Sequence, residues 1–253
     1  MAKTPGARGS RGGPARPRRN AGAQRPGKPA KGAKPSKPAK KSDARPAVEP
    51  LDESPVIEGP FILGAIPGAT PGKWIDEWQE RTPDIALELR PISVAGQRAA
   101  VLDGELSAAL VRLPISRDDL HVIALYDEVP VVIAPVDSHL MAADDLCLDD
   151  LAGEIVIVPQ DDVLGVLVPG GVAASFSPPE DTEQAIAIVA SGVGVVIVPM
   201  SLARLHRRKD VDHRPLRDGP GSTVALAWPA GRTTPAVEAF VGIVRGRTAN
   251  SSR

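Results

Sequence analysis

The 253 residues include 30 Lys and Arg and 31 acids, yet residues 1–47 hold 14 of the basic residues and a single acid, which leaves 16 basic residues and 30 acids for the remainder. The one cysteine, Cys147, excludes an internal disulfide, and no apolar run reaches the ~18–20 residues that a membrane span needs. We therefore expect a cytoplasmic protein with one strongly basic end, and nucleoid association if that end binds DNA.

Residues 1–55 are a tail rich in Lys, Arg, Pro and Ala that we expect to be disordered. Up to residue 47 its hydrophobic side chains are Met1 and alanines, which bury too little apolar surface to offset the entropy of ordering. Lysines recur at every third position from residue 28 to residue 40. Interspersed Pro and Ala favour polyproline II, whose three residues per turn would align these lysines on one face.

This tail is a candidate nucleic-acid-binding segment. A flexible cationic stripe gains affinity for a polyanion through counterion release, without reading its sequence. All aromatic residues lie at or beyond Phe61, so the tail cannot stack on unpaired bases. Two other interpretations stay open, namely a solubilising tail without a partner and a tail that lies across its own acidic domain. The candidate contacts are Arg16, Arg18, Arg19, Lys28, Lys31, Lys34, Lys37, Lys40 and Lys41.

From about Val56 the composition becomes that of a globular protein in which strands and helices alternate. The pattern predicts strands over 61–66, 85–90 and 106–112, with helices over 71–82 and 96–104 between them. This β-α-β-α-β order predicts a parallel sheet. Two further strands are predicted over 121–126 and 129–135.

A second, similar unit follows. It is predicted to contain a short helical turn over 147–153, helices over 182–192, 201–208 and 235–246, and strands over 154–160, 193–199 and 222–228. The last of these strands returns toward the first unit. Two α/β lobes joined by two crossing strands describe a bilobed binding fold with its site between the lobes. We place the first lobe at about 58–134 and 229–248, and the second at about 135–228.

Several stretches resemble a known family. FILGAIPGATPG, ERTPDIALELR and LDGELSAALVRLPI resemble the first lobe of a LysR-type effector-binding domain, and DDLAGEIVIVP, AIAIVASGVGVVIVP and LAWPAGRTTPAVEAFVGIVR resemble its second lobe and return. The resemblance covers most of a domain placed at residues 56–250. It implies a type 2 periplasmic-binding-protein-like α/β fold that senses a small, often anionic metabolite, dimerises side by side and serves transcription regulation.

The sequence departs from that family in two places. Regulators of this type begin with a winged helix-turn-helix, but residues 1–55 lack the apolar periodicity to pack one, so sequence-specific promoter recognition is not expected. The span 160–181 is shorter than the family's equivalent, which usually holds a helix and a strand. We expect one wall of the second lobe to be missing or rebuilt.

The loop after the first strand is the best single candidate for a ligand site, through Gly68, Ala69 and Thr70. Gly68 allows close backbone approach, and Thr70 is predicted to cap a helix that has Pro71 at its first position. The N–H groups at the positive end of that helix dipole suit a carboxylate. The alternative is an ordinary Thr-Pro cap that binds nothing.

Four more residues complete the predicted site. Ser93 and Gln97 lie near the start of the second helix, where the resemblance implies hydroxyl contacts. Arg112 ends the third strand at a position that the resemblance links to anionic groups, although pairing with a neighbouring acid is an equal alternative. Thr182 opens a helix whose first turn already carries acids, but its hydroxyl can still donate to a ligand. The prediction is an asymmetric cleft, with an acid group held on the first lobe and a neutral end on the second.

We predict no catalytic residue, no metal and no cofactor. The sequence has no G-x-S-x-G, Walker loop, G-x-G-x-x-G or paired-histidine zinc motif. His139 and Cys147 lie eight positions apart without a third residue that would complete a site, so they are predicted to be surface residues. Trp74 and Trp78 are predicted to be core, and HRRK (206–209) to close a helix with positive charge. Solvated or capping roles are predicted for Asp144, Asp145, Asp149 and Asp150.

The sequence therefore favours a non-catalytic regulatory protein whose partners are a small-molecule effector, nucleic acid through the tail, and a second copy of the effector-binding domain. Three alternatives stay open. They are a transport-type solute-binding protein, an enzyme that reuses the cleft, and a regulatory subunit with a degenerate cleft that acts by protein contact.

Overall fold

The structure is a computed structural model in which residues 59–246 are described. The predictions made for the basic tail, including its disorder and its nine candidate contacts, lie outside these residues. Within the described range the strands are β1 (Phe61–Ala65), β2 (Leu87–Pro91), β3 (Ala108–Arg112), β4 (Leu120–Glu128), β5 (Pro130–Pro135), β6 (Ile155–Ile157), β7 (Val172–Ala173), β8 (Val195–Pro199), β9 (Val211–Pro215) and β10 (Ser222–Pro229). The helices are α1 (Gly72–Arg81), α2 (Gln97–Leu102), α3 (Thr182–Ala190), α4 (Met200–Leu205) and α5 (Pro235–Val244).

The first sheet has the strand order β2-β1-β3-β10-β4. Strand β1 pairs in parallel with both β2 and β3, as the β-α-β-α-β order predicts. Strand β10 enters between β3 and β4 and pairs with both in the antiparallel sense. The last long strand of the chain therefore completes the sheet that the first strand began.

Apolar residues cover both faces of this sheet because the side chains of each strand alternate. On one face Phe61, Trp78 and Phe240 form an aromatic cluster with ring centroids 4.7–5.9 Å apart, which joins β1 to α1 and α5. Trp78 is fully buried and its indole Nε1 donates to the Ile85 carbonyl at 2.9 Å. The prediction that Trp78 belongs to the core is confirmed, and Trp74 packs against the same cluster.

The second sheet has the strand order β7-β6-β8-β5-β9. Its central strands β5 and β8 are buried on nearly every residue, so apolar side chains point to both faces. Helices α3 and α4 cover one face, and irregular segments with two short 3-10 turns, His139–Ala142 and Leu148–Leu151, cover the other. Near-continuous Val and Ile runs of this kind are typical of strands buried on both sides.

The two sheets confirm the predicted pair of α/β lobes joined by two crossings, but the lobe boundaries were wrong by one strand each. Strand β5 pairs with β8 and β9, so it belongs to the second sheet, although the prediction kept residues up to 134 in the first lobe. Strand β10 belongs to the first sheet, although the prediction assigned it to the second lobe. The chain crosses from the first sheet to the second at Val129 and crosses back between β9 and β10. Strand β5 lies between β8 and β9 in the second sheet, and β10 lies between β3 and β4 in the first.

The span 160–181 rebuilds one wall of the second lobe without a helix. Its regular structure is the two-residue strand β7, which pairs in parallel with β6. Val163, Leu164 and Val166 pack from this segment onto the apolar clusters of the second sheet. An irregular segment therefore covers the sheet in this wall.

Candidate functional site

A pocket of about 710 Å³ lies where the first sheet meets the second. The first lobe contributes the loop after β1 and the end of β4, and the second lobe contributes α4 and the end of β9. The described lining residues are Gly68, Ala69, Thr70, Tyr126, Asp127, Glu128, Val129, Met200, Ser201, Arg204, Leu205 and Pro215. The structure thus brings the three predicted loop residues to one cavity between the lobes.

Thr70 does not cap α1, so that prediction was wrong. The helix begins at Gly72 with Pro71 at the N-cap, and no side chain bonds to its first turn. The exposed Thr70 hydroxyl therefore has no hydrogen-bond partner among the described residues and faces a pocket. A hydroxyl that is not used in a cap is available to a ligand.

Arg112 is not part of this lining but is buried beside two residues of it, Glu128 and Ser201, with its side chain 2% exposed. Its Nη2 donates to Glu128 Oε2 at 2.5 Å, and its Nε donates to Ser222 Oγ at 2.7 Å. The structure shows the alternative in which this arginine pairs with a neighbouring acid. Its positive charge is balanced inside the protein, and direct ligand binding by Arg112 stays a prediction.

Gln97 holds the end of β3 in place. Its Nε2 donates to the Arg112 carbonyl, and its Oε1 accepts from the Arg112 backbone N–H, both at 2.8 Å. Because the side chain is buried and uses both of its polar atoms, it acts on the site through the backbone of Arg112.

Two buried atoms of the ion pair lack a hydrogen-bond partner within the described part of the chain. They are Arg112 Nη1, a donor, and Glu128 Oε1, an acceptor. Ser201 Oγ of α4 lies 3.4 Å from Arg112 Nη2. The buried pair of the first lobe thus reaches the second lobe through this serine.

Gly68 brings the first lobe close to Ser201 of the second lobe at this pocket. Its φ is +83°, and a Cβ atom built there would lie 2.5 Å from Ser201 Oγ and 2.9 Å from Ser201 Cβ. Real side chains do not approach so closely, so the loop can rest on the start of α4 because residue 68 has no side chain. The sequence analysis predicted that Gly68 lets a ligand approach the backbone closely. In the structure it is Ser201 of the second lobe that lies close to the backbone of Gly68.

The remaining two predicted site residues lie outside the lining of this pocket. Ser93 is exposed, and its hydroxyl oxygen accepts from the Gly96 N–H at 3.1 Å just before α2. Thr182 is buried at the start of α3, where its hydroxyl donates to Asp161 Oδ1 at 2.9 Å. Asp181 caps that helix by accepting from the Gln184 N–H, so an acid occupies the positive end of its dipole.

The pocket also contains residues that the sequence analysis missed. Tyr126, Asp127 and Glu128 end β4, and Ser201 and Arg204 lie on α4 directly after β8. The rule that ligands meet the carboxyl ends of strands selected the loop after β1, and it would have selected α4 had it been applied to β8. Arg204 has no acidic partner among the described residues, so its charge is open to the pocket.

The electrostatics of the pocket are mixed. Burial, and after it the charge of Glu128, raises the pKa of the Tyr126 phenol, while Arg112 lowers it. The phenol is therefore a neutral donor at ordinary pH. Asp127 Oδ1 accepts from the neutral Thr223 Oγ1 at 2.6 Å, so the lining holds one cation, Arg204, and one carboxylate, Asp127, that each lack an oppositely charged partner among the described residues.

The acids near the 3-10 turn at Leu148–Leu151 have structural contacts. Asp150 Oδ2 accepts from the Cys147 N–H at 2.8 Å, which lowers the pKa of this carboxyl. Asp145 lies 3.1 Å from Arg217 Nε. Within residues 59–246 no three His, Cys, Asp or Glu side chains are grouped as a metal site would require. The same residues include no helix long and apolar enough to span a membrane.

Comparison with protein families gives one match of large extent. The model of the LysR substrate binding domain matches residues 57–249. Among curated proteins, the Hca operon transcriptional activator HcaR of Escherichia coli is 28% identical over 204 residues, which cover 75% of this chain and 68% of HcaR. The HTH-type transcriptional regulator CatR of Pseudomonas putida is 29% identical over 171 residues, which cover 64% of this chain and 58% of CatR. The match therefore spans less than two thirds of CatR.

A solved structure confirms the fold. The effector-binding domain of BenM, determined with its effector benzoate, aligns with 76% of this chain and 95% of its own length, with a TM-score of 0.62 and 18% identity. The predicted type 2 periplasmic-binding-protein-like architecture is thus confirmed at the level of the fold.

Proposed function

The chain belongs to the LysR substrate-binding domain family, and from this premise we propose that it is a regulatory protein that senses a small-molecule effector and acts in transcription regulation. The observation that carries the proposal is the pocket of about 710 Å³ between the two lobes. A cavity of this size matches those that hold small ligands. It lies where the loop after β1 meets α4, so an occupant would contact both lobes at once.

The proposed effector is a small anion with an apolar body. Arg204 and the free Thr70 hydroxyl supply a charge and a hydrogen bond, while Val129, Met200 and Leu205 supply apolar surface in the same lining. Gly68 and Ala69 would bring the backbone close to the ligand. BenM, which has this fold, binds the carboxylate benzoate as its effector.

Two of the predicted contacts have a supporting role in this proposal. The charge of Arg112 is balanced by Glu128, so Arg112 would position Glu128 and Ser201 at the pocket instead of binding the acid group. Gln97 would fix Arg112 in turn. Ser93 and Thr182 lie outside the lining of this pocket. We propose that they contact the effector only if it is larger than this pocket or if the two lobes change their separation when it binds.

The proposed role is non-catalytic. HcaR and CatR are named as transcriptional regulators, which supports regulation over turnover. For the basic tail we propose non-specific binding to nucleic acid, supported by 14 Lys and Arg against one acid in residues 1–47. Pairing of two effector-binding domains is part of the same proposal and follows from family membership.

A second candidate is a regulatory or solute-binding protein whose cleft no longer binds an effector and which acts by protein contact. It is favoured by the internal balance of the Arg112 charge and by the close contact of Gly68 with Ser201. A thermal-shift screen of the full chain against small carboxylates separates the two. A ligand that binds the folded state raises the melting temperature with concentration, whereas a degenerate cleft gives no shift.

A further inference from the structure

A basic hollow lies on the second lobe, separate in its position from the pocket described above. Its volume is about 610 Å³, and we call it the basic hollow. The described lining residues are Ile133, Val136, Ala203, Arg204, His206, Arg207, Arg208, Lys209, Val211, Asp212 and His213. Arg204 is in the lining of both cavities.

The concentration of positive charge here is unusual for this domain. Residues 59–246 contain 26 acids and 14 Lys and Arg, and four of those 14 basic residues fall within positions 204–209. A surface of this composition is negative on balance, so a local cluster of cations is a distinct feature in its field.

Two acids near the hollow are already engaged, while the exposed Glu183 lies 3.9 Å from His206 Nδ1 and lines a neighbouring groove with Arg207. Asp210 accepts from both Arg208 Nε and Arg208 Nη2, at 2.9 and 2.8 Å. Asp212 is the one acid in the described lining, and its Oδ2 accepts from Arg214 Nη1 at 2.9 Å. This hydrogen bond is the largest cause of the lowered pKa of the Asp212 carboxyl.

Three cations at the rim remain without an acidic partner among the described residues, namely Arg204, Arg207 and Lys209. Favourable interaction with a helix dipole acts within the last turn of a helix. Helix α4 has six residues and ends at Leu205, so the dipole accounts for Arg204 but not for Arg207 and Lys209. The prediction that 206–209 merely closes a helix leaves these two charges unexplained.

The floor of the hollow is apolar. Ile133, Ala203 and Val211 line it, and Val136 is 53% exposed there. A hollow with cations at its rim and aliphatic carbon at its floor suits a molecule with a multiply charged group at one end and an apolar or planar body at the other.

We infer that the basic hollow is a second binding site, and that it takes a phosphate ester with two or more negative charges and a planar or apolar body. Arg207 and Lys209 meet the phosphates, and Ile133, Val136 and Val211 meet the body. Arg204 serves both cavities, so an anion in the hollow competes for the cation that the first pocket needs. The assignment of a phosphate ester to the basic hollow does not depend on the proposed effector, whereas the competition for Arg204 rests on the proposed function.

Calorimetric titration of ADP into the full chain at 0.15 M salt tests the inference. Exposed charge pairs contribute modestly, so Arg207→Ala combined with Lys209→Ala is expected to weaken ADP binding on the order of tenfold. The matched control combines Arg117→Ala with Arg245→Ala, which replace two exposed arginines of the first lobe. This control keeps the basic tail and has the same total charge as the Arg207/Lys209 variant. The control is expected to bind ADP as the unaltered chain does, and inorganic pyrophosphate is expected to bind more weakly than ADP.

Equal affinity of the unaltered chain, the Arg207/Lys209 variant and the control for ADP would overturn the inference, because ADP would then bind outside the basic hollow, for example on the basic tail. Absence of ADP binding would overturn it as well. A more specific outcome is that ADP fails to bind while a short DNA duplex binds the Arg207/Lys209 variant more weakly than it binds the control. In that case the basic hollow is a nucleic-acid surface, and the assignment of a small ligand to it is wrong. Equal melting temperatures of the variants establish that the fold is intact.

Discussion

Arg112 and Glu128 form a buried ion pair at the junction of the two lobes, with 2.5 Å between Nη2 and Oε2 and with side chains 2% and 4% exposed. Arg112 ends β3 and Glu128 ends β4, while β10 lies between these strands and supplies Ser222 to the same guanidinium. The pair therefore joins three strands of the first sheet at the point where the chain crosses to the second.

Loss of one partner from this pair is expected to be severe. Arg112→Met leaves Glu128 buried without its counterion, which costs about 3–5 kcal/mol of unfolding free energy. The double variant Arg112→Met with Glu128→Leu is expected to recover most of this loss, because no charge then remains buried. Urea denaturation of each full chain measures these changes.

The matched control is the exposed pair of Arg90 and Glu105, whose side chains are 41% and 72% exposed. Arg90→Met is expected to cost less than about 1 kcal/mol, since water screens an exposed pair. A similar loss for Arg90→Met and Arg112→Met would show that burial of the Arg112 pair has no special energetic role.

Gly68→Ala is expected to destabilise the protein more than Gly192→Ala. Both glycines have positive φ, +83° and +89°, which strains an alanine by about 1–2 kcal/mol. At Gly192 a Cβ meets nothing within 4 Å, whereas at Gly68 it meets Ser201, which adds about 1–3 kcal/mol of overpacking. Denaturation of both variants gives the difference.

A double-mutant cycle isolates the contact between the lobes. Ser201→Gly removes the atoms that a new Cβ at residue 68 would strike, so it should recover part of the Gly68→Ala loss. Coupling of about 0.5–3 kcal/mol is expected for residues in contact. Additive effects of the two changes would mean that the loop and α4 do not touch in solution.

The tail prediction is tested by changing charge at constant length. Replacement of Lys28, Lys31, Lys34, Lys37 and Lys40 by Gln removes five cations from the full chain. If each contacts a phosphate of duplex DNA, the slope of log K against log salt becomes less steep by about 4–5, from roughly 0.9 per contact. Filter binding across a salt series measures the slope. An unchanged slope would remove the lysines from the proposed interface.

Strongly patterned elements could be predicted from the sequence to within a few residues. Strand β8, predicted over 193–199, runs from Val195 to Pro199, and α5, predicted over 235–246, runs from Pro235 to Val244. In each case an apolar run between clear turn or cap signals fixes the element. The order of such elements also gave the bilobed fold.

Elements with weak apolar patterns could not be predicted in this way. Strand β9 has the sequence VDHRP, whose polar residues carry no strand signal, and it forms because its backbone completes the edge beside β5. Strand β7 has two residues and depends on pairing with β6. Assignment of β5 and β10 to their sheets likewise depends on partners distant in sequence.

The predictions for the first lobe included residues of the pocket lining, whereas Thr182, the residue predicted on the second lobe, lies outside that lining. The loop at Gly68–Thr70 has a local signature, because a glycine and a Thr-Pro pair follow a strand. Ser201 and Arg204 reach the same pocket through the packing of α4 against that loop, which no local pattern records. The partner of Arg112 could not be chosen from the sequence either, since Glu128 lies on a different strand.

The central claim is that the pocket between the lobes binds a small anion through Arg204, and differential scanning fluorimetry of the full chain tests it most directly. The panel is a set of small mono- and dicarboxylates that includes benzoate. We expect at least one compound to raise the melting temperature by several degrees as its concentration exceeds Kd about a hundredfold. The shift should persist in the control Arg117→Gln and shrink strongly in Arg204→Gln. No shift with any carboxylate, or an equal shift in Arg204→Gln, would contradict the claim.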